Sequence, residues 1–197
     1  MADRQTLDAY EQQAVHYAAE WAAQDAPDEM YALLEQYFAR GPTADVGCGA
    51  GRDTAWLAAH GYDATGIDAS PALLAEARRR HPALRFVRAA LPDLAGIGDG
   101  LFANVLCETV IMHLDADAIP AAVRRLVAIL GPGGTVYLSW RVTHDADKRD
   151  GNGRLYCAFP PDVVLRALGA AEILLDDEVT SRSSGKTVHR IVARKTA

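Results

Sequence analysis

The amino-acid sequence predicts an α/β fold: a mostly parallel sheet with helices on both faces. Three observations carry that reading. From Thr43 to Trp140, short apolar strand-like segments alternate with helical ones at a steady interval, the rhythm of a parallel sheet built from crossover units. A glycine-rich turn, Gly47 to Gly51, lies between the first of those strands and a helix, where parallel sheets place their ligand-binding loops. Of the 197 residues, 50% are hydrophobic and 23% charged, which is enough for one buried core and too little charge for a disordered chain.

The first 40 residues are helical. Tyr10, Ala14, Tyr17, Ala18 and Trp21 recur at spacings of three and four, giving one apolar stripe. Pro27-Asp28 reads as a break and restart, after which Met30, Leu33, Leu34, Tyr37 and Phe38 form a second stripe. Beyond Gly41-Pro42 the expected strands are Thr43 to Val46, Ala64 to Ile67, Arg85 to Arg88, Phe102 to Cys107 and Thr135 to Trp140. Helices are expected at Arg52 to His60, Pro71 to Arg80 and Ala116 to Leu130. Ser70-Pro71 is a good helix start, because serine accepts orphan amide bonds and proline suits the first helical position. Gly61 is a good stop, since glycine tolerates a left-handed backbone. Ile173 to Leu175 and Thr187 to Ala193, around Ser183-Ser184-Gly185, read as a terminal antiparallel hairpin.

Composition narrows the function. Net charge is −6, and the densest basic cluster, Arg78 to Arg80, falls at the end of a predicted helix, where cations complement the dipole. No nucleic-acid footprint is expected. Nor does any segment approach the ~18 apolar residues of a membrane span, and Met1 to Gln5 lead into a charged amphipathic stretch rather than an export signal. Cys48, Cys107 and Cys157 are odd in number and far apart, which suits neither a disulfide framework nor a zinc site. A reducing cytoplasm is the expected location, and no metal is expected.

The chemistry concentrates in Asp45-Val-Gly-Cys-Gly-Ala-Gly-Arg-Asp. Glycines at 47, 49 and 51 permit a tight turn and let a ligand lie against bare backbone, with the free amides of a helix start behind it. The predicted second strand ends in Gly66-Ile-Asp68, 21 residues after Gly47. A carboxylate at that strand tip can accept both ribose hydroxyls of an adenosine-type ligand. The spacing is G-x-G-x-G, whereas dinucleotide-binding turns use G-x-G-x-x-G.

These residues resemble the class I S-adenosylmethionine-dependent methyltransferases. Asp45 to Gly51 is similar to that family's first motif, and Asp68 to its ribose-binding acid. Leu101-Phe-Ala-Asn-Val-Leu-Cys-Glu with Val110-Ile-Met-His-Leu resembles the family's fourth strand and the segment after it. Gly131-Pro-Gly-Gly before Thr-Val-Tyr-Leu resembles the turn into the fifth. The resemblance implies a Rossmann-like, seven-stranded sheet over one domain, 1–197, with 1–40 as a helical cap and 41–197 as the core. It implies S-adenosylmethionine as cofactor, held by Tyr17, Asp45, Gly47, Cys48, Gly49, Gly51, Asp68, Ala69, Ala90, Leu91 and Cys107. Two positions depart from the pattern. Ala90 stands where many relatives have an adenine-binding Asp, so adenine falls to backbone groups at Ala90 and Leu91. Ala103 stands where an Asp is usual in the fourth strand.

Methyl transfer from a sulfonium needs orientation and exclusion of water, with a base only for some acceptors. The candidate catalytic residues are therefore few: His113, a base or a packing histidine, and Glu108, an acceptor ligand or a solvated acid. Arg141 and His144 follow the fifth strand in a charge-rich loop that is either solvated or substrate-binding. Tyr10 and Tyr17 are placed either to reach the cofactor from a closing helix or to pack in the core. With no inserted domain and no Asn-Pro-Pro-Tyr-like segment, a small-molecule acceptor is expected, and the Gly51-Arg-Asp-Thr stretch is similar to tellurite-resistance and thiol-type methyltransferases. Two rivals stay open: a non-catalytic S-adenosylmethionine-binding protein and a nicotinamide-dependent oxidoreductase, the latter opposed by the glycine spacing.

Overall fold

The computed structural model describes residues 3–181 and 185–196. Three helices come first: α1 (Arg4–Gln12), α2 (Ala14–Ala23) and α3 (Asp28–Tyr37). The core consists of β1 (Pro42–Val46), α4 (Arg52–Ala59), β2 (Asp63–Asp68), α5 (Pro71–Arg80), β3 (Arg85–Arg88), β4 (Phe102–Cys107), α6 (Ile119–Ala128) and β5 (Leu130–Arg141). A small hairpin, β6 (Lys148–Arg149) and β7 (Leu155–Tyr156), precedes α7 (Pro161–Leu168), β8 (Glu172–Thr180) and β9 (Thr187–Arg194). The main sheet runs β3-β2-β1-β4-β5-β9-β8. Its first five strands are parallel, and β9 is antiparallel to both β5 and β8. Strand order reverses beside β1, so a crevice opens where the carboxyl ends of β1 and β4 diverge. Among the described residues no helix is long and apolar enough to cross a membrane.

Both faces of the sheet are covered, which explains its continuous apolar strands. Along β4, Val105 and Cys107 face the cluster formed with α6 and α7, while Leu106 faces the opposite cluster of α3 and α4. The local start signal at α5 is realised: the Ser70 hydroxyl accepts from the Leu73 amide, Pro71 opens the helix, and Arg78, Arg79 and Arg80 close it.

Several expectations change. The stripe from Tyr10 to Trp21 spans two helices that meet at Gln13, yet its residues stay on one side and pack on Ala72 and Leu73. The helix expected from Ala116 begins as a single 3-10 turn, Ala116–Ala118, and α6 ends at Ala128 because Leu130 already pairs with Phe102 in the sheet. Gly131 to Gly134 do not precede β5 but bulge from it, and the ladder resumes at Thr135 opposite Asn104. Helix α7 adds to the expected elements, with Val164 and Leu168 buried against the main core. The terminal hairpin forms as expected, while Ser183 and Ser184 of its turn lie outside the described residues.

Ala103, the departure in the fourth strand, sits against Gly41 at the entry to β1. Its neighbour Asn104 is fully buried and ties that entry together. Its amide oxygen accepts from the Ala39 N–H (3.1 Å), and its nitrogen donates to the Ala39 carbonyl (2.8 Å) and the Thr43 hydroxyl (2.9 Å). Asn104→Ala strands these groups away from water, a loss of about 2–3 kcal/mol. Urea unfolding is expected to show a lower midpoint with an unchanged slope.

Candidate functional site

The glycine-rich turn leaves β1 with Gly47 at φ +80° and Gly49 at φ +53°, a left-handed path costly for side-chain-bearing residues. The amides of Gly47 and Cys48 both donate to the Ile67 carbonyl (2.7 and 3.1 Å), which pins the turn against the end of β2. A Cβ at Gly49 would meet the Trp21 ring at 2.7 Å, and one at Gly47 would meet Val110. Only bare backbone fits here.

Asp68 closes the next turn. One carboxylate oxygen accepts from the Gly49 amide (2.9 Å), the other from the Ser70 amide (2.8 Å). Burial pushes its carboxyl above the usual range, and the amides of Ser70, Gly49 and Ala69 hold it down. Beneath the turn, the Thr54 hydroxyl donates to Asp45 at 2.6 Å, and burial together with nearby Asp53 pushes the Asp45 carboxyl up.

These elements form one wall of a cavity of about 690 Å³, with α1 and α2 as the opposite wall. Toward α4, Arg52 pairs with Asp53 (2.9 Å), the Tyr31 hydroxyl donates to Asp53 (2.7 Å), and Ser139 donates to Glu108, whose carboxyl burial pushes upward. Toward the β6–β7 hairpin, Tyr10, His113, Arg154 and Tyr156 pack together. There His113 Nδ1 bonds the Leu155 carbonyl and Nε2 meets the Tyr10 hydroxyl at 3.1 Å. A carbonyl only accepts, so Nδ1 carries the proton and Nε2 accepts from Tyr10. Burial lowers the His113 pKa to about 4, partly opposed by its bond to Leu155. The ring is neutral near pH 7.

Of the residues expected at the site, Gly47, Cys48, Gly49, Asp68, Ala69, Ala90, Leu91, Glu108 and His113 line this cavity. Four do not. Tyr17 turns away: its hydroxyl accepts from Asn152 (2.9 Å) and its ring stacks on Trp21. Tyr10 faces the cavity in its place. Asp45 and Gly51 support the turn from outside the lining. Cys107 is fully buried on the α6 face of β4, and burial drives its thiol far up. Alternation along a strand puts its side chain on the sheet face rather than at the strand end. The Cys48 thiol also points into a core cluster, with Leu74 and Phe86. Arg141 lines the cavity, while His144 is exposed and does not. Arg154, Tyr156 and Trp21 are lining residues that sequence reasoning misses. Trp21 has a signal in the aromatic stripe, whereas Arg154 sits in a loop without periodicity.

Sheet order, the switch-point crevice and the glycine turn facing an acid at the tip of β2 make the fold Rossmann-like. Residues 44–134, a little under half of the chain, match the family described as methyltransferase domain. Its likeness to known proteins agrees. Trans-aconitate 2-methyltransferase of Methylobacterium nodulans is 40% identical over 97 residues, covering 46% of this chain and 34% of that protein. The Deinococcus radiodurans enzyme of the same name is 36% identical over 104 residues, covering 51% and 38%. The chain thus spans little more than a third of these curated relatives. Among solved structures, 1,6-didemethyltoxoflavin-N1-methyltransferase of Burkholderia thailandensis, with 1,6-didemethyltoxoflavin and S-adenosylhomocysteine bound, has a TM-score of 0.77 at 23% identity, covering 97% of this chain and 87% of that one. An S-adenosylmethionine-dependent methyltransferase of Methanosarcina mazei has a TM-score of 0.72 at 18% identity, covering 83% and 97%.

The state of His113 is directly measurable. Its ring NMR resonances are expected to hold their neutral positions from pH 8 to pH 5 and to move only near pH 4. An unfolded histidine takes up its proton near pH 6.5. The unfolded chain therefore binds more protons between those values, and His113 costs stability as pH falls from about 6.5 to about 4. His113→Gln is expected to flatten that part of the stability profile.

Proposed function

We propose that this chain binds S-adenosylmethionine against the glycine-rich turn and transfers its methyl group to a small-molecule acceptor by in-line displacement. The observation that carries the reading is the Asp68 carboxylate at the tip of β2, buried beside the bare backbone of Gly47 and Gly49. The Asp68 oxygens already accept from the Gly49 and Ser70 amides, with the Ala69 amide beside them, and the roughly four lone-pair sites of a carboxylate leave capacity for a ribose hydroxyl. Ala90 and Leu91, on the same cavity wall, offer backbone and apolar contact to adenine. The cofactor supplies an already activated methyl group. The chain's part is to orient the acceptor and exclude water.

Helices α1 and α2 support the second part. They wall the cavity on one side through contacts spread along their length. Arg149 donates to both oxygens of Asp3 (2.8 Å each), Ser70 donates to Glu11 (2.6 Å), and Asn152 donates to Tyr17. Trp21 covers Gly49. We read residues 1–40 as a cap that opens for entry and closes over the loaded cofactor. The acceptor named for the bacterial relatives, trans-aconitate, belongs in the first test panel.

Two measurements check this. Calorimetry is expected to show S-adenosylhomocysteine binding with NAD inactive, and Asp68→Asn is expected to weaken that binding by about ten- to a hundred-fold, as for lost charge-assisted bonds. No binding by the folded wild-type protein would overturn the cofactor assignment, while binding without label transfer to any acceptor would leave the non-catalytic rival. Separately, hydrogen exchange over residues 8–22 is expected to slow when S-adenosylhomocysteine is added. Equal, strong protection in both states would make α1 and α2 a fixed wall.

A further inference from the structure

Four arginines line the cavity: Arg52, Arg80, Arg141 and Arg154. Arg52 pairs with Asp53 (2.9 Å) and Arg154 with Asp150 (2.7 Å), while Arg80 reaches Glu76 at 3.5 Å, a carboxylate it shares with Arg79, and its Nε has no hydrogen-bond partner among the described residues. Arg141 alone of the four has no carboxylate within ion-pair distance among the described residues. Its guanidinium lies over the Tyr156 ring, 4.8 Å from the centroid. That contact uses the flat face of the group and leaves its edge of N–H donors free. Tyr156 is in turn fixed edge-on to His113 (5.2 Å), so Arg141 rests on a braced aromatic plate. Arg141 is also the last residue of β5, at the carboxyl end of the parallel ladder, on the same side of the sheet as Gly47 and Asp68.

We propose that the acceptor is a small carboxylic acid, and that Arg141 selects it by pairing with its carboxylate. This rests on the methyltransferase reading above and adds the class of acceptor. A neutral or cationic acceptor seated there would cover the half-exposed Arg141 and leave its charge uncompensated away from water, which is costly. A carboxylate matches the paired N–H donors along one guanidinium edge. An anionic acceptor also suits the rest of the wall: His113 is neutral with Nε2 engaged by Tyr10, and Glu108 is engaged by Ser139. An acceptor that arrives deprotonated requires no proton removal from either.

The test is calorimetric titration of the S-adenosylhomocysteine-loaded protein with trans-aconitate and benzoate, against benzamide and benzylamine. At least one carboxylate is expected to bind, and the two controls are not. Arg141→Gln is expected to weaken carboxylate binding by about ten- to a hundred-fold, Arg141→Lys by less, with S-adenosylhomocysteine affinity the same in all three proteins. In turnover with an acceptor that is methylated, Arg141→Gln is expected to raise KM far more than it lowers kcat. Equal carboxylate binding by Arg141→Gln, binding of any control as tight as the carboxylates, or no carboxylate binding by the loaded protein would each overturn the proposal. Failure of S-adenosylhomocysteine itself to bind would overturn the cofactor reading, and the proposal with it.

Discussion

The carboxylate of Asp68 is the node on which the site is built. Its two oxygens accept from Gly49 in the first strand-to-helix turn and from Ser70 in the second, so one side chain fixes two loops at the carboxyl edge of the sheet. A buried carboxylate is costly unless satisfied, and here the satisfying groups are backbone amides that would themselves be orphaned without it. Ser70 extends the node: its hydroxyl caps α5 and donates to Glu11 of α1. The glycine turn, the start of α5 and the docking of the N-terminal helices therefore share a chain of bonds through two adjacent loops.

Around that node the polar residues fall into two groups, each with an arginine held by a carboxylate. Near α4, Arg52, Asp53, Tyr31 and Glu108 form one interacting group. Near the β6–β7 hairpin, Arg154 lies over the rings of Tyr10, Tyr17 and Tyr156 at 4.9 to 5.9 Å and is held by Asp150. In the second group, burial and then the nearby Arg154 keep the His113 imidazole uncharged, against the Leu155 carbonyl, which favours the charged ring. Its only basic nitrogen already accepts a hydrogen bond. Such a wall is suited to holding and shielding an acceptor more than to deprotonating one.

The features legible in the sequence are those decided locally. The turn at Gly47 to Gly51, the acid at Asp68 and the Ser70-Pro71 start depend on neighbours a few residues away, and their residue types allow few alternatives. The strand at Phe102–Cys107 likewise arises from a short apolar run buried on both faces, and Arg85–Arg88, an edge strand, from the Phe86-Val87 pair between two exposed arginines. The misplacements arise where tertiary contact decides. Cys107 obeys the strand pattern, but which face it occupies depends on the pleat, and that face is the core. Tyr10 and Tyr17 lie on one stripe, and only the arrival of Asn152 from the far loop determines which of them meets the cavity. Helix α7 has an apolar stripe of just eight residues behind a Pro-Pro pair, too short for periodicity to distinguish from a loop.

The same division between local and distant contacts separates the two halves of the site. The cradle is made of residues within β1, β2 and the turns after them, and it is complete in a short stretch of chain. The opposite wall joins residues near the start of the chain to the β6–β7 hairpin more than a hundred positions away, through Asp3 with Arg149, Tyr17 with Asn152 and Thr6 with the Leu155 amide. Undocking α1 would leave the Asp68–Gly49 and Asp68–Ser70 bonds intact, but would remove Tyr10 from His113 and loosen the hairpin that carries Tyr156 beneath Arg141. The bonds of the cradle therefore do not depend on α1, whereas those of the wall that faces it do.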